Sequence, residues 1–328
     1  MQEALFYEKK EDQQLQCHLC PRNCLILEGK TGFCRVRKNT KGKLYSLVYA
    51  KPCSTHIDPV EKKPLYHFLP GSDTFSIGTV GCNLTCKHCQ NWQISQAKPI
   101  DEEEVTPEQI NEEAIKSCQS ISYTYTEPTI FYEYVLATAK LTKLKNILVT
   151  NGYINSEPLK ELCKYVDAVN VDLKAFSEEF YLKICSASLQ PVLESLKIIQ
   201  KAGVWLEITN LIIPSHNDDM KVFEKMCLWI QENLGQDVPL HISRFSPCFQ
   251  LLDTEPTPEQ TLIKAHQIAK KYLNHVYLGN LRVETEDNTY CPSCNELLIE
   301  RKSFRILQNK IVNGVCCQCQ QEIKGVWK

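Results

Sequence analysis

Three cysteines lie close together in the segment 81–92 with the spacing Cys-x3-Cys-x2-Cys: Cys82, Cys86 and Cys89. Thiolates are the usual ligands of iron–sulfur clusters, and an ordinary [4Fe–4S] cluster takes four of them. A loop that offers only three leaves one iron open, as a reactive metal centre requires. The alternative is a zinc site that adds His88. Because His88 directly precedes Cys89 in a tight loop, we expect its ring to point away from the shared centre, so the spacing favours the open cluster.

Most of the other cysteines form two further groups near the ends of the chain. The sequence has 328 residues and 18 cysteines, and its first residues are polar, unlike an export signal. In such a chain, repeated Cys-x2-Cys spacing indicates metal or iron–sulfur binding in a reducing compartment rather than disulfide bonds. The C-terminal group predicts a structural zinc site, with an auxiliary iron–sulfur cluster as the competitor. It consists of Cys291, Cys294, Cys316 and Cys319, with Cys317 left over.

The N-terminal group has less diagnostic spacing, and zinc or a second iron–sulfur cluster fits it equally well. It consists of Cys17, Cys20, Cys24 and Cys34. Single cysteines at three other positions lie on amphipathic stretches and are interpreted as packing residues. These are Cys118, Cys163 and Cys227.

Composition and charge exclude several classes of function. The net charge is −2, from 37 basic and 39 acidic residues, so there is no general attraction to nucleic acid or to an anionic membrane. No apolar run is long enough to span a bilayer. We therefore expect a cytoplasmic protein. The basic residues of the C-terminal tail are dispersed and do not favour nucleic-acid binding.

The elements that must position these residues follow from the pattern between Thr74 and about Asn280. Short apolar and β-branched runs alternate with amphipathic stretches, which predicts βαβ units and a parallel sheet. The predicted strands are 74–79, 120–125, 146–150, 168–173, 205–213, 240–245 and 276–278. The predicted helices are 107–118, 129–141, 158–165, 189–202, 219–233 and 258–272. Six such units could close fully or partly into a barrel, and an open doubly wound sheet is the alternative.

Changes in pattern along the chain divide it into three parts. We predict a Cys-rich N-terminal segment (1–72), an α/β partial barrel (73–283) and a small zinc-ribbon-like tail (284–328). In the tail, Asn313-Gly314 is a turn signal between probable strands and the second cysteine pair.

The motif in segment 81–92 resembles the signature of the radical S-adenosylmethionine (SAM) superfamily. The resemblance implies a partial (β/α)6 barrel in which SAM binds the open iron of a [4Fe–4S] cluster through its amino and carboxylate groups. It also implies reductive cleavage of SAM to a 5′-deoxyadenosyl radical that abstracts hydrogen from a substrate. A narrower resemblance is to the AmmeMemoRadiSam-system radical SAM enzymes, which are related to pyruvate formate-lyase activating enzymes. It rests on Asp58–Gly71, Gly81–Ser95, Tyr123–Pro128, Asn151-Gly152 and His241–Phe245.

Five polar residues next to strand ends are, by this resemblance, the SAM-binding residues: Glu127, Asn151, Asp172, Lys174 and His241. Barrel enzymes gather their active sites at one end of the strands. SAM presents an ammonium, a carboxylate and ribose hydroxyls, which an acid, a base and hydrogen-bonding groups could bind. Each residue also has a plainer interpretation. Glu127 could start a helix, Asp172 and Lys174 could form an ion pair, and His241 could be a core histidine.

The resemblance leaves the substrate unidentified and the function open between three hypotheses. The leading one is hydrogen abstraction from a small molecule or a system partner, such as an AMMECR-like or Memo-like protein. The alternatives are a glycyl-radical enzyme activase that acts on a partner protein and a non-catalytic iron–sulfur or zinc scaffold. Both enzymatic hypotheses need a flavodoxin-like or ferredoxin-like electron donor. Cys185 is interpreted as a buried packing residue, and the alternative is a thiol that donates hydrogen to a substrate radical.

Overall fold

The computed structural model describes residues 2–99, 103–281 and 287–328. The N-terminal segment contains six short strands: β1 (Gln2–Glu3), β2 (Tyr7–Lys9), β3 (Leu15–Cys17), β4 (Leu25–Ile26), β5 (Arg37–Thr40) and β6 (Lys43–Ser46). They form two three-stranded antiparallel sheets, in the orders β1-β6-β5 and β2-β3-β4. A 3-10 turn over Glu11–Gln13 lies between β2 and β3.

The central sheet has eight strands: β7 (Ser54–Pro59), β8 (Asp73–Gly78), β9 (Ser120–Tyr123), β10 (Lys145–Thr150), β11 (Ala168–Asp172), β12 (Trp205–Ile212), β13 (Leu240–Arg244) and β14 (Val276–Gly279). The strands lie side by side in chain order. Strands β8 to β14 are parallel, and β7 pairs antiparallel with β8. Because β7 belongs to the segment predicted as N-terminal, the central sheet extends across the predicted boundary at 72. That boundary stays a prediction.

The described residues include eight α-helices that accompany this sheet: α1 (Trp92–Ser95), α2 (Pro107–Ala114), α3 (Tyr132–Leu141), α4 (Ser156–Leu162), α5 (Glu178–Phe180), α6 (Gln190–Lys201), α7 (Met220–Leu234) and α8 (Glu259–Ala269). Shorter turns are 3-10 helices at Val60–Lys62 and Pro128–Phe131 and a π-helical turn at Tyr181–Cys185. Helix α2 begins with a capping box, in which Thr106 accepts from the amide of Gln109 and the Gln109 side chain accepts from the amide of Thr106. Thr106 is therefore the N-cap of this helix.

Strand order decides between the two predicted architectures. A doubly wound sheet reverses its strand order at a switch point, and this sheet has no such reversal. Right-handed crossovers in one direction place successive helices on one side of a curving sheet, and α6, α7 and α8 do pack against one another in sequence. Within the described residues, β7 and β14 remain the two edges of the sheet. The fold is therefore the predicted partial barrel.

The C-terminal tail forms a third small sheet of three antiparallel strands, β15 (Thr289–Tyr290), β16 (Leu297–Lys302) and β17 (Arg305–Asn309). Its own core is small: Cys291, Leu298, Ile299, Cys316 and Ile323. The predicted turn at Asn313-Gly314 is present, with both residues at positive φ and a bridge between Val312 and Val315. The guanidinium of Arg301 lies over the ring of Tyr66 at 4.3 Å, which joins the tail to the rest of the chain. No helix in the described residues has both the length and the apolar character needed to cross a bilayer.

Candidate active site

A cavity of about 830 Å³ opens at the C-terminal ends of the parallel strands. Eight residues predicted from the sequence line this one cavity: Cys82, Cys86, Cys89, Glu127, Asn151, Asp172, Lys174 and His241. They come from positions spread over 160 residues of the chain, and only the curvature of the sheet brings them together. The volume is within the range of cavities that enclose a small ligand.

The three-cysteine loop follows β8 directly and turns sharply at Gly81. Gly81 has a φ of +96°, and a Cβ atom there would lie 2.6 Å from Cγ1 of Val36 and 3.0 Å from the carbonyl oxygen of Cys34. Only glycine satisfies both constraints. The close approach fixes the loop against the N-terminal segment and directs Cys82 to the cavity.

The three thiols have different electrostatic surroundings. Burial raises the pKa of Cys82 and of Cys89, and the hydroxyl of Ser95 lies 3.2 Å from the sulfur of Cys89. The pKa of Cys86 is lowered, chiefly by a hydrogen bond from the thiol of Cys185. Metal binding requires thiolates, so occupation of this site would release protons.

His88 lies closer to one of these thiols than its sequence position suggested. The ligand atoms of Cys86, His88 and Cys185 lie within 4.8 Å of one another, and His88 is on the cavity wall. His88 is not grouped with Cys82 or Cys89, so the expectation that its ring points away from the shared centre of the three cysteines stays a prediction. The chain turns back here, where the amide of Cys89 donates to the carbonyl of Cys86. Nδ1 of His88 is buried and has no hydrogen-bond partner, and burial lowers the pKa of His88 to about 3, so the ring is neutral.

Glu127 caps the 3-10 turn that follows β9, as its plainer interpretation suggested, and also faces the cavity. Its carboxylate accepts hydrogen bonds from the amide of Thr129 at 2.9 Å, the hydroxyl of Thr150 at 2.7 Å and the amide of Asn151 at 2.8 Å. Burial raises the pKa of Glu127, and these donors oppose the rise. A carboxylate has lone pairs for about four hydrogen bonds, so it can still accept one from a ligand.

Asn151 connects Glu127 to the cysteine loop. Its amide nitrogen Nδ2 donates to Oδ1 of Asn83 at 2.9 Å and lies 3.8 Å from the sulfur of Cys82. Its Oδ1 accepts from the amide of Tyr153 at 2.8 Å. Hydrogen bonds thus hold both polar atoms of the Asn151 side chain, which fixes the cavity wall next to Cys82.

Strand register places two of the predicted residues in one row across the sheet. Asp172 on β11 pairs with Thr209 on β12, and Thr209 pairs with His241 on β13. His241 lies near the start of its strand and still reaches the cavity, because the sheet is staggered. Asp172 forms an ion pair with Lys174, as the plainer interpretation predicted, and both side chains line the cavity.

Glu207 is a buried residue that sequence reasoning missed. Its Oε2 lies 2.6 Å from Nε2 of His241 and accepts from the amide of Tyr66, while Oε1 accepts from the amide of His67 and from Nε1 of Trp205. Glu207 is fully buried. An acid in the middle of the apolar run of β12 was the available signal, because such a charge is costly without partners.

A second group that sequence reasoning missed joins the segment 58–63 to the residues that follow β9. Nζ of Lys63 lies 2.7 Å from Oδ2 of Asp58, and the hydroxyl of Tyr125 donates to the same oxygen at 2.7 Å. Lys63 and Tyr125 line the cavity, and Asp58 is the penultimate residue of the antiparallel edge strand β7. Lys62 and Lys63 hold the pKa of Asp58 low against the effect of burial.

Cys185 lies behind Cys86 rather than on the cavity wall. It is fully buried at the end of the π-helical turn, and its side chain contacts the thiol of Cys86. This position agrees with the interpretation as a packing residue. The other single cysteines lie outside the cavity as well: Cys118, Cys163 and Cys227.

The terminal cysteine groups differ in geometry. In the tail, the sulfurs of Cys291 and Cys319 are 3.6 Å apart, those of Cys294 and Cys316 are 3.7 Å apart, and all four lie within 4.8 Å of one another. Cys317 is exposed and not part of this group. The four N-terminal cysteines instead line a separate small cavity: Cys17, Cys20, Cys24 and Cys34.

Comparisons with known proteins agree with this arrangement. A sequence model of the Radical SAM superfamily matches residues 76–227. An uncharacterized protein of Methanocaldococcus jannaschii is 46% identical over 98% of this chain and 99% of its own length. A putative glycyl-radical enzyme activating enzyme of the same organism is 28% identical over 62% of this chain and 80% of its own. The solved structure of Streptococcus suis SuiB bound to S-adenosylmethionine matches with a TM-score of 0.50 at 15% identity, over 68% of this chain and 53% of that one.

Proposed function

This chain belongs to the radical SAM superfamily, and we propose that it cleaves SAM at a cluster held by Cys82, Cys86 and Cys89 in the cavity described above. The observation that carries the proposal is the convergence of these cysteines with five predicted polar residues on one wall. Bound there, a [4Fe–4S] cluster with SAM would supply a one-electron cleavage to a 5′-deoxyadenosyl radical, which takes hydrogen from an organic substrate. The chain's own residues would bind and orient SAM and would shield the radical.

The donor set fits this cofactor. Three thiols face a cavity that still has about 830 Å³ of space, so a ligand can approach from the open side. Iron–sulfur clusters favour soft thiolates, and the remaining lining groups are acids, bases and amides that suit the polar parts of SAM. We assign the amino group of SAM to Glu127, its carboxylate and ribose to Lys174 and Asp172, and further hydrogen bonds to Asn151 and His241.

The choice between a small-molecule substrate and a protein substrate rests on different observations. The ordered motifs of the chain resemble the AmmeMemoRadiSam-system enzymes, which supports AMMECR-like or Memo-like partners. The similarity to a putative glycyl-radical enzyme activating enzyme supports activation of a partner protein instead. We favour the system enzyme, because its motifs extend over nearly the whole chain and the activating-enzyme match does not. In either case a flavodoxin-like or ferredoxin-like donor would supply the electron, in the cytoplasm.

Anaerobic reconstitution with iron and sulfide, followed by dithionite and SAM, tests the central proposal. Product analysis should find 5′-deoxyadenosine, and a Cys86→Ala variant should form none. A Cys227→Ala variant is the matched control, because Cys227 is buried in α7, away from the cavity, and should retain cleavage. An intact cluster that yields no 5′-deoxyadenosine would refute the proposal.

One rival assignment of the same loop has structural support. Cys86, His88 and Cys185 bring their ligand atoms within 4.8 Å of one another, and could hold a single metal ion. That site would leave Cys82 and Cys89 unused on the cavity wall. A His88→Ala variant separates the two assignments: an open cluster should keep its iron and sulfide content, whereas a single-ion site would lose its metal.

The tail cysteines are proposed to hold zinc. Zn–S bonds of about 2.3 Å in a tetrahedron place the sulfurs about 3.8 Å apart. The observed sulfur pairs at 3.6 and 3.7 Å are close to this spacing. A closed four-thiolate site would stabilise a tail whose own core has only five buried residues.

A further inference from the structure

The four N-terminal cysteines enclose a cavity of their own, distinct from the proposed SAM site. It is lined by Cys17, Cys20, Cys24 and Cys34, together with Arg37 and Asn83 among others. Its volume is about 20 Å³, which is enough for roughly one water molecule. Four thiols that line one cavity form a donor set typical of zinc or iron–sulfur sites.

The N-terminal cysteines are less compact than the tail cysteines. Four thiolates around one Zn²⁺ lie about 3.8 Å apart, in mutual contact, and leave no room for water. The tail group has this spacing and lies entirely within 4.8 Å. In the described residues, only two groups of potential ligands meet that 4.8 Å limit, and the N-terminal cysteines are in neither. Thiolates bound to different irons of one cluster are held farther apart than thiolates on one ion.

Arg37 provides an independent indication of a ligand. Its side chain is 2% exposed, and its Nη2 lies 2.9 Å from Oε1 of Glu133. Its Nε and Nη1 atoms are buried and have no hydrogen-bond partner among the described residues, although the side chain lines the cavity. Buried charged donors rarely stay unsatisfied, because their desolvation is costly. The sulfides and thiolates of a cluster are acceptors for such donors and carry negative charge that the guanidinium would offset.

The backbone is already arranged to stabilise a thiolate at Cys24. The amide of Phe33 donates to the sulfur of Cys24 at 3.4 Å. A metal-bound cysteine is a thiolate, so an amide donor at this sulfur favours the bound form.

We propose that Cys17, Cys20, Cys24 and Cys34 bind an auxiliary iron–sulfur cluster of the four-cysteine [4Fe–4S] class. This site goes beyond the SAM-cleaving site and does not depend on it. The two sites share a wall: Asn83, next to Cys82, lines the N-terminal cavity, and its carbonyl accepts from Nε of Arg22 at 2.9 Å. The auxiliary cluster therefore lies directly behind the reactive loop.

Metal analysis of the full-length chain, reconstituted anaerobically with ferrous iron and sulfide, tests this proposal. The wild-type chain should bind about eight iron atoms and eight sulfides, in two [4Fe–4S] clusters. A triple variant with Cys82, Cys86 and Cys89 replaced by alanine should retain about four of each, with the electron paramagnetic resonance signal of a four-cysteine cluster after reduction. Because this variant lacks the SAM site, its result is independent of SAM cleavage.

Two single variants complete the test. Cys24→Ser, at the half-exposed position of the group, should lower the iron content from about eight to about four and leave the SAM-binding cluster in place. Cys163→Ser, a half-buried cysteine on another element, is the control and should keep both clusters. Zinc in the N-terminal site, or a triple variant that folds but binds no iron, would overturn the proposal. Circular dichroism separates a chain that failed to fold from one that lacks the site.

Discussion

Nζ of Lys174 lies 3.0 Å from Oδ2 of Asp172 on the wall of the active-site cavity, and only 14% of the lysine side chain is exposed. Burial alone would lower the pKa of Lys174, but Asp172 and the thiols of Cys86 and Cys185 reverse this and raise it. The lysine is therefore a permanent cation beside the cysteine loop. A ligand with a carboxylate would find its counter-charge already in position.

Lys174→Met should weaken SAM binding to the reconstituted protein. A hydrogen bond to a charged group contributes about 1.5–3 kcal/mol, which corresponds to a loss of roughly 10- to 100-fold in affinity. Equilibrium dialysis with labelled SAM measures this. Lys183→Met is the matched control, because Lys183 pairs with Glu179 on the exposed surface. Equal affinity in both variants would show that Lys174 does not contact SAM.

Gly81→Ala should destabilise the protein and disturb the cysteine loop. The new Cβ would meet Cγ1 of Val36 at 2.6 Å, and overpacking of this kind costs about 1–3 kcal/mol. Gly203→Ala is the control, because Gly203 also has a positive φ, of +74°, but no atom within 4 Å of the added Cβ. Thermal unfolding under anaerobic conditions should show a larger loss for Gly81→Ala. Equal losses would mean that backbone conformation, and not the contact with Val36, sets the cost.

Glu207→Gln should lower stability and misplace His241. An amide keeps one acceptor oxygen and replaces the other with a donor, so hydrogen bonds to the amides of Tyr66 or His67 are lost. Unsatisfied buried donors cost about 1–3 kcal/mol each. The melting temperature should fall in this variant and stay unchanged in Glu194→Gln, whose carboxylate is half exposed. A neutral outcome for Glu207→Gln would show that the network relaxes around the amide.

From the lowered pKa of His275 we predict that the protein loses stability in mild acid. Burial lowers the pKa of His275 to about 4, whereas the unfolded chain has the ordinary value of 6.5. Between these values the unfolded state binds more protons than the folded state, so stability is full above pH 6.5, falls as the pH drops from 6.5 to 4, and levels off below. The whole effect is on the order of 3 kcal/mol.

His275→Phe should reduce this dependence, because phenylalanine does not titrate, while the buried His67 and His88, whose pKa values burial also lowers, retain part of it. Denaturant unfolding at several values between pH 5.5 and 8 measures the slope. His56→Phe is the control, since His56 is exposed. If the slope is the same in His275→Phe as in the wild type, another group controls the acid lability.

Cys294→Ser should remove zinc from the tail, and Cys317→Ser should not. Cys294 is one of four converging thiols, whereas Cys317 is exposed and outside the group. Metal analysis should give about one zinc per chain for the wild type and for Cys317→Ser. Limited proteolysis should then cut the tail of Cys294→Ser first, because zinc binding supplies much of the folding free energy of such small sites. Retained zinc in that variant would contradict the assignment.

Local pattern was enough to predict the repeated elements of the barrel. Each of the seven predicted strands is present, because apolar runs and their turn signals are properties of neighbouring residues. Helix ends were less accurate. The helix predicted to begin at Pro258 begins at Glu259, and the preceding Thr257 does not cap it. The Thr257 hydroxyl instead donates to the carbonyl of Ile212 and accepts from the amide of Phe245, which are long-range contacts that no local pattern encodes.

By itself, the sequence determined which residues are candidates to carry the chemistry: the three closely spaced cysteines and the acids, amide and bases near successive strand ends. Tertiary structure alone decided which of them share a cavity, and it added partners such as Glu207 for His241 and Asp58 for Tyr125. It also distinguished three cysteine groups of similar sequence spacing. The tail group is compact, the N-terminal group lines a small cavity, and the group of Cys82, Cys86 and Cys89 lines a large one. The physical reason is that ligand chemistry depends on residue type, which sequence records. Distances between residues far apart in the chain depend on strand order, register and curvature, which arise only when the whole core packs.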